Sequence, residues 1–123
     1  MAYSVSQTDH FVEIRFTGAT SVDELIQLVA ELVRGNPIPY PEACLVDLTA
    51  LERTDIDYAA MTRIFDYRES LPEPDRGSRI AVVASEPHLF GMARMVELRT
   101  TAHARSARAF REREEAEAWL TAG

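Results

Sequence analysis

The 123-residue chain contains no lysine; all thirteen of its basic residues are arginine. That absence excludes a P-loop lysine, a Schiff-base lysine and a lysine general base, because a guanidinium stays protonated and substitutes for none of them. Acylation or ubiquitination of lysine side chains is excluded too. Cysteine is almost as scarce. Cys44 is alone, so no internal disulfide can form, which fits a reducing compartment. Its place in an apolar run reads as a small core residue with a raised thiol pKa. No apolar run approaches the roughly 20 residues a membrane-spanning helix needs. "MAYSVSQTDH" lacks the basic stretch and apolar core of a signal peptide. The expectation is a cytoplasmic protein with no transmembrane segment. His10, His88 and His103 are scattered, without the spacing of zinc ligands. There is no G-x-G-x-x-G, and no nucleophile elbow surrounds Ser85 near His88. No metal, no cofactor and no catalytic set is legible, so the chain reads as no enzyme.

What is present describes an ordinary globular protein. Apolar residues make up 46% and charged residues 27%, and the length suits a single domain over residues 1–123. The net charge of −7 repels a phosphate backbone and argues against nucleic acid as a partner. Arginines gather toward the end of the chain, at Arg94, Arg99, Arg105, Arg108, Arg111 and Arg113. They read as a solvated face, with a local anion contact as the lesser alternative.

Hydrophobic spacing sets the elements. "YSVSQT" and "FVEIRFT" alternate and flank Asp9-His10, which predicts a tight hairpin. In "SVDELIQLVAELVRG" Ser21 and Glu24 have capping-box spacing, and Val22, Leu25, Ile26, Val29, Leu32 and Val33 form a helical stripe. The proline-rich "NPIPYPEA" connects it to "ACLVDL", a central strand buried on both faces. A polar turn and a helix over about 56–71 follow, then a loop and the strand "RIAVVAS". Ser85 is placed to cap the next helix, "PHLFGMARMVELRTTAH". "RSARAFR" reads as an edge strand blunted by arginine. "EREEAEAWL" reads as a short helix with acids at its N-terminus, docked by Trp119 and Leu120. The order is β-β-α-β-α-β-α-β-α, an α/β fold with a mainly parallel sheet and an N-terminal antiparallel hairpin.

With that order, "ACLVDLTALERTD", "RIAVVASEPHLFGMARM" and "AFREREEAEAWL" resemble the SpoIIAA-like family of small bacterial proteins. These are related to STAS domains, the anti-sigma-factor antagonists, and their fold resembles the CRAL-TRIO lipid-transfer fold. The resemblance implies a phospho-switch serine in an Asp-Ser-Ser-Gly motif where the helix after the central strand begins. Here the matching residues are Asp55, Ile56, Asp57 and Tyr58. Asp57 therefore stands at a degenerate phospho-switch position. A carboxylate is no substrate for a serine kinase, and it carries less charge and fewer acceptor oxygens than phosphoserine. Thr54, Asp55 and Asp57 read instead as caps of the helix.

Asp47, on the central strand, is the carboxylate of most interest. It is expected near the strand's carboxyl end, where open α/β sheets line ligand crevices, or else bonded to the turn that follows. The apolar helix surface is the stronger clue. Leu89, Met92, Ala93 and Val96 make one stripe, which Phe90, Met95 and Leu98 widen; Tyr58, Met61 and Phe65 add to it from the preceding helix. Gly91, alone in its helix, suggests close packing or a partner. These residues fill the core, form a homodimer seam, or line a pocket for an apolar ligand. Tyr58, Met61, Phe65, Phe90, Met92 and Met95 are thus the candidate binding residues. The expectation is a non-catalytic binding or regulatory module that works through protein–protein contacts. The alternative is a carrier or sensor of a lipid or other small apolar molecule.

Overall fold

The computed structural model describes residues 3–33, 43–54, 57, 59–60, 62–63, 66, 79–100 and 106–122. Strands β1 (Tyr3–Gln7) and β2 (Val12–Thr20) form the antiparallel hairpin. Thr8 builds its turn. The Thr8 hydroxyl oxygen accepts the backbone N–H groups of His10 at 3.2 Å and Phe11 at 3.0 Å. Helix α1 (Val22–Val33) then leads to β3 (Ala43–Thr54). Strand β4 (Arg79–Val83), helix α2 (Pro87–Thr100), strand β5 (Ser106–Phe110) and helix α3 (Arg113–Thr121) complete the order. The five strands lie in the order β1-β2-β3-β4-β5, parallel from β2 onward. The mainly parallel α/β sheet with its opening hairpin is therefore as expected.

The capping box at α1 forms as its spacing predicts. The Glu24 N–H donates to the Ser21 hydroxyl at 3.2 Å, and the Ser21 N–H donates to the Glu24 carboxylate at 3.1 Å. Val22 is buried and Leu25 and Ile26 are partly buried, as the stripe predicts, but the buried face is wider than expected. Leu28, outside that stripe, is buried in the cluster of Val12, Ile14, Phe16 and Cys44, and Leu25 is only partly buried there. Burial also pushes the Cys44 thiol up to about 12, as expected of a core cysteine.

Two strands run farther than their sequence suggests. β2 and β3 extend together, pairing Thr17 with Ala50, Gly18 with Leu51 and Thr20 with Thr54. Residues expected as a polar turn after "ACLVDL" are instead strand. Two register shifts absorb the extension, and Gly18 sits at φ +67°, where a side chain would be strained.

The sheet carries a core on each face. One face holds the Val12–Ile14–Phe16 cluster under α1. A further cluster joins Val22 and Ala60 with Leu25, Ile26, Met92 and Met95, binding α1 and α2 together. The other face packs Phe11, Leu45, Ala81 and Val83 against Ala116 and Leu120 of α3. The docking of α3 is as expected. Arg79 donates to the Trp119 carbonyl at 2.9 Å, satisfying a helix C-terminal acceptor, and its guanidinium lies 5.7 Å from the Trp119 ring centre.

Candidate functional site

Asp57 meets the sequence reading most directly. Its Oδ1 accepts the Ala60 N–H at 2.8 Å, the geometry of an N-cap holding its third helical residue. The described residues that follow, 59–60, 62–63 and 66, are helical. Thr54, grouped with the caps in sequence, is the last residue of β3 and pairs with Thr20 in the ladder. Asp55 lies outside the described residues, as do Tyr58, Met61 and Phe65.

The cap of α2 falls one residue beyond the one expected. Glu86, not Ser85, accepts the N–H groups of His88 at 3.1 Å and Leu89 at 3.0 Å. Those two backbone donors hold the Glu86 carboxyl below its ordinary 4.5. A depressed carboxylate pKa contributes stability that is complete above the unfolded value and lost as pH falls through the folded one. The melting temperature of the wild type should therefore exceed that of Glu86→Gln at neutral pH. The gap should close on acidification below 4.5. A gap that is constant with pH would mean that the carboxylate does no capping.

Asp47 is buried, at 4% exposure, and both its oxygens are engaged. Oδ1 accepts the Thr49 N–H at 2.8 Å and the Thr49 hydroxyl at 2.6 Å. Oδ2 accepts Arg113 Nη1 at 3.2 Å. The Thr49 N–H and hydroxyl are donors of the kind expected, but Thr49 lies in β3 and not in a turn, and Asp47 is not at the strand's carboxyl end. Asp47 marks the end of the β3–β4 pairing, while β3 itself continues to Thr54. Arg113, at the first turn of α3, also bonds Glu13 on β2 through Nη1 at 3.0 Å and Glu117 through Nε at 2.6 Å. One guanidinium thus ties three carboxylates on two strands and a helix. Their hydrogen bonds, Glu13's first and then Glu117's, raise the Arg113 pKa further. The cluster holds a cation in a place where the helix dipole disfavours one. It offers structure rather than a proton-transfer group, since an arginine does not titrate. Sequence reasoning missed it, because residues 13, 47 and 113 are brought together only by the sheet and the docked helix.

Of the three described binding candidates, Met92 and Met95 are partly buried against α1. Phe90 is partly buried, with the Arg111 guanidinium 4.3 Å from its ring centre. Among the described residues the exposed large hydrophobic one is Leu98, at 65%. Gly91 is exposed, and a Cβ built on it meets nothing within 4 Å among the described residues, so close packing among them does not require it. At the β5 edge the protection is more specific than arginine alone. Glu97 of α2 accepts the Ala109 N–H at 2.8 Å, closing part of the open ladder.

Among the described residues no group of three His, Cys, Asp or Glu side chains is placed to hold a metal ion. Among them, too, no helix is long and apolar enough to cross a membrane. The chain matches no protein-family model, and no curated protein is similar to it in sequence. Solved structures are similar. An anti-sigma factor antagonist from Mycobacterium paratuberculosis aligns with a TM-score of 0.65 and 17% identity, over 96% of this chain and 92% of that one. An uncharacterized protein of the DUF3478 family from Shewanella loihica PV-4, described as having a SpoIIAA-like fold, aligns at 0.60 and 14%, over 97% and 92%. The anti-sigma factor antagonist SpoIIAA in its unphosphorylated form aligns at 0.59 and 12%, over 99% of both chains. Sheet order, hairpin and near-complete coverage agree, and the chain has the SpoIIAA-like fold.

Proposed function

We propose that this chain is a non-catalytic regulatory module, working in the cytoplasm through protein–protein contacts and without a serine phospho-switch. The observation that carries the proposal is the fold shared over nearly the whole chain with two anti-sigma factor antagonists. Asp57 supports the second half of the reading: at the position matching the switch serine stands a carboxylate engaged as a helix cap. The proposed contacts are Tyr58, Met61 and Phe65, which follow β3 in sequence, and Phe90, Met92 and Met95 of α2. The partly buried Met92 and Met95 support the alternative, a carrier of an apolar small molecule, only weakly, because they already pack against α1.

Asp57 provides the test. Asp57→Ala should cost about 1 kcal/mol, the ordinary value of a lost cap, and Asp57→Ser should recover most of it in urea unfolding. Affinity capture with the tagged chain should return the same protein partner from wild type and both variants. A wild-type chain that captures no protein contradicts the module reading. Melting unchanged in Asp57→Ala, with capture abolished, would make Asp57 a recognition residue instead of a cap.

A further inference from the structure

The two ends of the sheet are guarded differently. At the β5 end stand the exposed Arg108 and the Glu97 carboxylate, which accepts the Ala109 N–H. β1, at the other end, has no such device. Its sequence, "YSVSQ", contains no charge, proline or glycine. Its register on β2 is regular, without a bulge. Natural edges are commonly blunted by one of those means. All five residues of β1 pair with β2 on one side. Among the described residues nothing pairs with the other side. Alternate residues of an antiparallel edge turn their N–H and C=O groups outward. Such a row is a template for one more strand.

Charge selects the kind of strand that fits. Tyr3 and Val5 turn toward α1, in the cluster that holds Leu25 and Leu28. Burial, then Glu31 and Glu24 of α1, raise the Tyr3 hydroxyl pKa, so both carboxylates stand on this flank. Among the described residues no arginine pairs with either. A strand added beside β1 sets alternate side chains on the same flank, where a cation is attracted and a carboxylate repelled. A second copy of β1 offers no cation, and it brings its own Glu24 and Glu31 toward the first pair. On the opposite face Ser4 and Ser6 are exposed and uncharged, so that side selects little.

We propose that the free edge of β1 takes an extended segment of another protein by strand addition, with arginine or lysine at alternate positions facing Glu24 and Glu31. Backbone hydrogen bonds hold the segment, and the two carboxylates choose it. This rests on the protein-contact reading above and names a second surface for it, on the hairpin.

Nuclear magnetic resonance on the isotope-labelled full chain at low salt tests it, with three blocked octapeptides. One alternates arginine with valine, and one alternates glutamate with valine. The third is the arginine peptide methylated at alternate backbone nitrogens, which keeps its charge but cannot join a ladder. The arginine peptide should shift the amide signals of Tyr3–Gln7 and slow hydrogen exchange at alternate residues of β1. It should bind at least about fivefold more tightly than either of the others. Glu31→Arg should shrink its advantage over the glutamate peptide. The variant should stay folded, because residue 31 lies in the last turn of α1, where a cation suits the helix dipole. The proposal is overturned by no binding at millimolar peptide, by signal shifts away from β1, or by equal binding of the methylated peptide. An unchanged preference in Glu31→Arg also overturns it. So does β1 protection that grows with protein concentration alone, which would mean a second copy on the edge. A chain that captures a protein partner without protection on β1 would sink the edge contact and leave the regulatory reading standing.

Discussion

Arg113→Ala should destabilise the protein by about 3 kcal/mol, the lower end of what breaking a buried ion pair costs. The substitution leaves Glu13 and Asp47 facing each other without their shared cation. Their side chains are 15% and 6% exposed, so water replaces the guanidinium poorly. Arg113 itself is 38% exposed, and solvent screening keeps the loss from the top of the range. Arg113→Lys should recover only part of the loss, because a point charge cannot reproduce a fork bonded to three carboxylates. Introducing Glu13→Gln into the Ala background should return about 1 kcal/mol by removing one stranded charge. Glu117→Gln alone should cost less than about 1 kcal/mol, since an exposed i,i+4 pair contributes little. Urea unfolding of the four variants checks the set. Equal losses from Glu117→Gln and Arg113→Ala would show that α3 is held by the local pair and not by its tie to the sheet.

The second large effect lies beneath that tie. Leu45 is fully buried among Phe11, Ala81, Val83, Ala116 and Leu120. Leu45→Ala should cost about 3 kcal/mol, from lost apolar burial plus the cavity left behind. The neighbours cannot close that cavity readily. Ala81 and Val83 are fixed in the ladder, and Ala116 has no longer side chain to swing inward. The melting temperature should fall by roughly 10–15 °C, with the urea m-value unchanged. Leu45→Met, which nearly conserves volume, should cost under about 1.5 kcal/mol. A loss from Leu45→Ala no greater than from Leu45→Met would mean that α3 packs loosely on this face.

Much of this architecture is written locally. The Ser21–Glu24 box, the alternation of Val12, Ile14 and Phe16, and the anchoring pair Trp119–Leu120 each act over a few residues, and each forms as read. The discrepancies share a cause. "TALERT" is rich in helix-favouring residues, yet it is strand, because pairing with the extended β2 outweighs its weak preference. Glu86 takes the cap from Ser85 because the helix begins at Pro87, so it is the Glu86 carbonyl that accepts the first helical N–H and the Glu86 side chain that faces the unpaired first-turn donors. Leu28 is buried because the sheet residues Val12, Ile14 and Phe16 widen the covered face of α1 beyond its stripe. The candidate site was legible at Asp57, where sequence position and cap chemistry coincide. It was not legible at Arg113, whose partners stand 100 and 66 residues away in sequence.

Native mass spectrometry of the purified full chain, repeated under denaturing conditions, tests the central claim most directly. A module that acts through protein contacts should fly at the bare polypeptide mass, with the same subunit mass after denaturation. Extra mass present in the native run and lost on denaturation would contradict it. That result would make the chain a carrier of a small molecule, which the released species would then identify.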